Sequence, residues 1–105
     1  MLIHEVCMAY ILSRMGQPSI SFYELRKIIR KVEQNTHLGI WHDDSDIYNT
    51  IITMRDKGYL LWDKKRKIIQ PLPGIQSVLE NQMLIVELLA KRDIQKFKIA
   101  VDACL

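Results

Sequence analysis

The sequence is poor in residues that interrupt regular structure. Four glycines and three prolines in 105 residues leave little room for long loops, so helices and strands joined by short turns are expected. There are only two cysteines, Cys7 and Cys104, and they stand far apart. That excludes a disulfide-built scaffold. The simplest reading is two small buried apolar side chains, and the sharper one is a bridge within or between chains. Long hydrophobic runs are missing too. The longest, Met83 to Ala90, is broken by Glu87 and is too short to cross a bilayer. The start, Met1-Leu2-Ile3-His4-Glu5, has no basic segment and no small-residue cleavage site. A secretory leader is therefore not expected, and a cytoplasmic protein is.

Catalytic patterns are equally scarce. No Gly-rich phosphate loop and no nucleophile–base set can be found, and the clustered Asp43, Asp44 and Asp46 serve as well for capping a helix. A non-enzyme without a cofactor is the expectation. The metal-ligating candidates are His4-x-x-Cys7 and the group His37, His42 and Asp43. With no second cysteine pair beside them, no metal site is expected. No internal repeat or low-complexity stretch is visible.

What is present describes one folded domain. Hydrophobic residues make up 49% and charged residues 26%, a balance typical of folded chains. There are fifteen isoleucines. The formal net charge is +3 with a pI near 9.0. Such a chain is only mildly basic, so the placement of charge matters more than its total.

Hydrophobic periodicity divides the chain into elements. Leu2, Val6, Ala9 and Tyr10 repeat at helical spacing, which predicts a first helix from residue 2 to about 15, ended by Gly16. Ile20 could add one pairing to a sheet. Ser21-Phe22-Tyr23-Glu24 is a capping box, in which the serine hydroxyl and the glutamate carboxylate satisfy each other's backbone amides. A second helix should run from Phe22 to about Gln34, burying Phe22, Leu25, Ile28, Ile29 and Val32. After a linker containing Gly39, the N-cap types Asp43, Asp44 and Ser45 predict a third helix reaching Lys57. Ile47, Ile51 and Met54 mark its inner face. Asn49, Thr53 and Asp56 are expected outside, flanked by Asp46 and Thr50, with Ile52 on the outer half. Two strand-like runs follow, Tyr59 to Trp62 and Lys67 to Leu72, with Lys64, Lys65 and Arg66 at the tip of the hairpin.

From Leu79 onward, apolar residues recur at steps of three and four up to Cys104. One helix from about Ile75 to Ala103 would be about 40 Å long at 1.5 Å per residue. It is apolar almost all round near Leu84, Ile85, Leu88 and Leu89, which calls for two burial partners. One would be the first helix and the other a second chain. The expected dimer interface is Leu79, Met83, Val86, Ala90, Ile94, Phe97 and Val101. A single helix folded back, or split, over its own core is the other possibility.

The expected class is α+β, mainly helical. Three helices followed by a two-stranded hairpin form the winged helix-turn-helix order. Residues 1–74 would be the DNA-binding domain, and 75–105 a long dimerisation helix of the same compact unit. The segment "FYELRKIIRKV" (22–32) resembles the second helix of PadR-type and MarR-type transcriptional regulators. "DSDIYNTIITMRDKGYL" (44–60) is similar to their recognition helix and its exit into the wing, and "PLPGIQSVL" (71–79) to their entry into the C-terminal helix. The chain departs from PadR-type proteins in having Phe22 where they carry a glycine, and in its longer linker. The small one-domain plan also resembles regulators encoded by archaeal viruses and plasmids.

The resemblance implies a homodimer that binds double-stranded DNA and regulates transcription, most simply by occluding a promoter. In the recognition helix it points to Tyr48, Asn49, Thr50, Thr53, Arg55 and Lys57. Asn49 would pair with adenine, and the threonines would offer hydroxyl or methyl contacts. Lys64, Lys65, Arg66 and Lys67 in the wing would engage phosphates, as would Tyr23, Lys27 and Arg30 of helix two. Asp46 and Asp56 would repel phosphate unless paired with Arg55 or Lys57. A protein-binding winged helix is the alternative, suggested by those carboxylates and by Ile52. A chromatin-type binder with little sequence preference is a third. The sequence names no effector.

Overall fold

The structure is a computed structural model that describes the backbone of residues 2–105 and the side chains of residues 3–88 and 93–105. It is mainly helical, with a small antiparallel sheet. The order is α1 (Leu2–Met15), β1 (Ile20–Ser21), α2 (Phe22–Thr36), α3 (Asp44–Asp56), β2 (Leu60–Asp63), β3 (Ile68–Pro71) and α4 (Gly74–Cys104). The class expected from the sequence, α+β and mainly helical, is therefore observed. No helix among the described residues is long and apolar enough to cross a membrane.

Local chemistry sets the element ends. Ser21 caps α2 by accepting from the Glu24 amide at 3.1 Å. Asp43 caps α3 by accepting from the Asp46 amide at 3.0 Å, and the Asp46 carboxylate accepts in return from the His42 amide at 2.8 Å. The third helix hands over to β2 through Gly58 at φ +79, a backbone region that glycine enters without strain.

The linker after α2 is more ordered than its composition suggests. Glu33 on α2 turns its carboxylate into the loop and accepts from the amides of Gly39, Ile40 and Trp41 at 2.9, 3.1 and 3.4 Å. One side chain thus satisfies three backbone donors that the loop could not pair internally. The result delivers Trp41 into the core, where only 1% of it is exposed. Its ring meets His4 and Phe97.

The sheet has strand order β1-β3-β2. Ile20 pairs with Ile69, and Trp62 also pairs with Ile69 from the other side. One face of this sheet sends Ile20, Leu60 and Ile69 into the core made by Leu25, Ile29, Ile47, Ile51 and Met54. Cys7 is a free, buried thiol of the same core, and Cys104 is also free and half-buried. Burial, and then the charge of Glu33, pushes the Cys7 thiol up to about 12.

The last helix corrects one expectation. Gln76 donates to the Ser13 hydroxyl at 3.2 Å, while Asp102 accepts from the neighbouring Arg14 at 3.0 Å. In a straight helix, residues 76 and 102 would stand about 39 Å apart. The whole molecule extends only 37 Å along its longest axis, and Glu87 pairs with Lys98. The chain of α4 therefore reverses between Glu87 and Lys98, and both arms pack against α1. No proline or glycine lies in that interval. The returning arm buries Ile94, Phe97 and Val101 to 1% exposure or less. Each such side chain stabilises the packed arm by ~1.5–3 kcal/mol.

The seven residues expected to face a second chain are placed differently as a result. Val86, Ile94, Phe97 and Val101 are buried within this chain. Leu79 and Met83 are half-buried against the same core, and Ala90 lies outside the residues with described side chains. The long apolar stripe is covered by its own protomer because the helix doubles back over α1. Among the described residues, the large exposed apolar side chains of α4 are Leu84, Ile85, Leu88 and Ile99.

Candidate nucleic-acid interface

The turn between β2 and β3 is built to hold cations in the open. The Asp63 carboxylate accepts from the amides of Lys65 and Arg66, both at 3.1 Å. This closes the turn in the manner of an Asx motif. Lys67 leaves it at φ 55, and its carbonyl accepts from the Phe22 amide at 2.8 Å. The turn is thereby stitched to the start of α2. Lys64, Lys65, Arg66 and Lys67 are all exposed. Among the described residues, none of the four takes part in an ion pair.

The third helix lies beside this turn. Tyr48 packs edge-on against Trp62 of β2 with ring centres 6.1 Å apart. Phe22, Tyr48, Trp62 and Lys67 line one shallow depression. The outer face of α3 presents Ser45, Tyr48, Asn49 and Asp56, with Ile52 half-buried rather than exposed.

Thr50 does not belong to that face. It is 6% exposed. Its hydroxyl accepts from the Trp41 indole Nε1–H at 3.1 Å and donates to the Asp46 carbonyl at 2.9 Å. Both hydrogen-bonding roles are used, so Thr50 cannot serve as a base contact. A wheel of 100° per residue sets it between the core and α1, one step round from the outer face. Thr53 is half-buried, and its hydroxyl donates to the Asn49 carbonyl at 2.8 Å. Asn49 is exposed, and among the described residues no side-chain hydrogen bond ties it down. It shares a depression with His4, Glu5, Asp46, Thr50 and Thr53, which brings two carboxylates to that side of the helix.

The cations of α3 are committed. Arg55 holds Asp56 at 2.9 Å. Lys57 reaches back to Glu5 of α1 at 2.6 Å, and Glu5 is buried. The hydrogen bond to Glu5 raises the Lys57 pKa above its ordinary value. A buried carboxylate with one cationic partner holds that partner in place, so Lys57 fixes α3 to α1 and is not free for phosphate. That removes Lys57 from the expected DNA contacts, and Arg55 is at best shared.

On α2, Tyr23 is exposed and Lys27 stands 5.9 Å over its ring. Arg30 is held by Asp44 at 2.5 Å, and Arg26 reaches the other oxygen of the same carboxylate at 3.1 Å. Two guanidinium groups on one carboxylate leave a net positive charge. Tyr23, Arg26, Lys27 and Arg30 line a common depression. Arg26 and Ser45 were not among the DNA contacts expected from the sequence. A wheel drawn for α3 would have found Ser45. The pairing of Arg26 with Asp44 connects two helices and leaves no local signal.

The described residues contain no group of three or more His, Cys, Asp or Glu side chains arranged to hold a metal ion. Comparison with protein-family models, curated proteins and solved structures found no significant match.

Proposed function

We propose that this chain is a winged-helix protein that binds double-stranded DNA as a homodimer and regulates transcription, most simply as a repressor. The supporting observation is the adjacency of an unpaired cationic turn to an exposed helix face, joined by the Tyr48–Trp62 contact. The order α1-β1-α2-α3-β2-β3, with β3 central in the sheet, suits this reading. In it the turn is the wing and α3 the recognition helix. Phosphate affinity would come from Lys64, Lys65, Arg66 and Lys67, helped by Lys27 and the Arg26–Arg30 pair, because lysine and arginine displace condensed counterions. Base contacts would come from Asn49, with Ser45, Tyr48 and Thr53 at its sides.

A second reading is carried by the charge of α3. Asp43, Asp44, Asp46 and Asp56 outnumber Arg55 and Lys57 there, and Leu61 on β2 is exposed. An acidic helix beside an exposed leucine suits a protein partner better than a phosphate backbone. Titration of random-sequence duplex across a salt series separates the two. The DNA reading expects affinity that falls linearly in a log–log plot against salt. No salt-dependent affinity at low ionic strength would refute it. Selection from random sequence should then enrich a two-fold-symmetric site with half-sites about one helical turn apart. Binding without enrichment would point to a chromatin-type protein instead.

A further inference from the structure

The two tryptophans of the chain sit in opposite settings. Trp41 is 1% exposed, and its indole Nε1–H donates to Thr50 at 3.1 Å. Trp62 is half-buried on β2, and its Nε1–H has no acceptor among the described residues. Phe22 and Tyr48 both meet the Trp62 ring edge-on, each with ring centres 6.1 Å apart. Phe22 is half-buried and Tyr48 is exposed, so solvent reaches the cluster. With Lys67 these rings line a depression of about 130 Å³. An apolar cavity of about 150 Å³ holds one benzene molecule. The space therefore suits a single ring and is small for a fused pair.

Charge narrows the occupant. Aromatic faces alone attract a cation, but here the Lys67 side chain stands at the rim. Its carbonyl accepts from the Phe22 amide at 2.8 Å, which keeps this residue beside the rings. Lys64, Lys65 and Arg66 precede it, exposed and without ion pairs among the described residues. The complement is a flat ring attached to a chain of negative charges. Single-stranded nucleic acid has that form, with bases that stack on aromatic side chains and phosphates that follow cations.

We propose that this depression receives one unpaired pyrimidine base of a single strand, with the adjoining phosphates on Lys67 and the turn. A pyrimidine also carries carbonyl oxygens, the acceptor type that the Trp62 indole lacks. The site shares the cationic turn with the proposed duplex reading but does not need α3 in a groove. Either can therefore fail while the other holds, and the duplex salt series tests the other one.

The test uses the full chain and abasic DNA single strands of about eight nucleotides, within the ~4–16 that strand sites span. One strand is wholly abasic, one carries a single central thymine, and one a single central adenine. Binding is read by fluorescence anisotropy of labelled strands. Wild type should bind the thymine strand about 5- to 150-fold more tightly than the abasic one, the range set by stacking of one base. Trp62→Leu should bring that ratio close to one. A wild-type ratio near one, or a high ratio kept in Trp62→Leu, would overturn the site. Intrinsic fluorescence of wild type gives a reading that needs no variant. The thymine strand should quench Trp62 more than the abasic strand does, because Trp41 is enclosed, and equal quenching would count against the site. Equal affinity for the adenine strand would overturn the single-ring fit. Thymidine monophosphate binding as tightly as the thymine strand would overturn the strand as its source. Displacement of the thymine strand by an Asp/Phe peptide of equal charge, at equal or lower concentration than unlabelled strand, would assign the depression to a protein partner instead.

Discussion

The outer face of α3 and the turn between β2 and β3 both carry charge, and they offer it to solvent very differently. On α3, Arg55 is held by Asp56 and Lys57 by the buried Glu5. The nearby Arg26 and Arg30 share Asp44. In the turn, the one carboxylate, Asp63, is occupied with backbone amides, and the four cations are left exposed. Charge content and available charge are thus separate properties. In the proposed function, α3 discriminates and the turn attracts, and each substitution below probes one side of that division.

The largest effect is expected at Thr50, which sits on the helix but belongs to the core. Thr50→Val keeps the shape and leaves the buried Trp41 indole donor without its acceptor. A loss of about 1–3 kcal/mol in unfolding free energy is expected, measured by denaturant titration, with base preference unchanged. A relaxed base preference would return Thr50 to the outer face. Asn49→Ala should do the opposite. Stability stays within about 0.5 kcal/mol, and discrimination at one base pair falls by about 1–3 kcal/mol. If selection from random sequence gives the same site for both proteins, Asn49 is not a base contact.

Asp44→Asn should move α3 and α2 towards the behaviour of the turn. It releases Arg26 and Arg30, so duplex affinity should rise and the salt slope steepen by about one or two phosphate equivalents. These pairs are more than a third exposed, so the stability lost should be at most about 1 kcal/mol. The smallest effect on binding is expected for Lys57→Met, which should leave the salt slope unchanged. Its signature is in stability. Glu5 raises the Lys57 pKa in the folded state, so that stabilisation is complete below the unfolded-state value and is lost as pH rises through the folded one. Wild type should be the more stable at neutral pH, and the gap should narrow above about pH 10.5. A gap that stays constant through the alkaline range would mean that Lys57 is not held by Glu5.

The same division explains what the sequence could convey. The caps at Ser21 and Asp43, the glycine turn at Gly58 and the pairing of Ile20 with the sheet are local or short-range signals, and each appears where the residues suggested. The inner faces of α2 and α3 largely followed from helical spacing; Phe22 and Ile28 are only half-buried, and Thr50 lies one step from the core. Side chains that act across elements were not legible. Glu33 ordering the linker, Lys57 reaching α1 and Arg26 sharing Asp44 all depend on helix placement. The reversal of α4 was hidden for a related reason: steps of three and four describe a buried stripe equally well whether the helix is straight or doubled back. The base-reading role of Asn49 rests on the proposed function, and its exposed position is compatible with that role.

In the proposed function the turn supplies the charge for binding and α3 does not. The most direct measurement compares the salt dependence of duplex affinity for wild type and for the triple variant Lys64→Ala, Lys65→Ala, Arg66→Ala. Each phosphate-neutralising cation contributes about one to the slope. The triple variant should show a slope lower by about three, with weakened affinity for every sequence alike. An unchanged slope, with binding of wild-type strength, would contradict it.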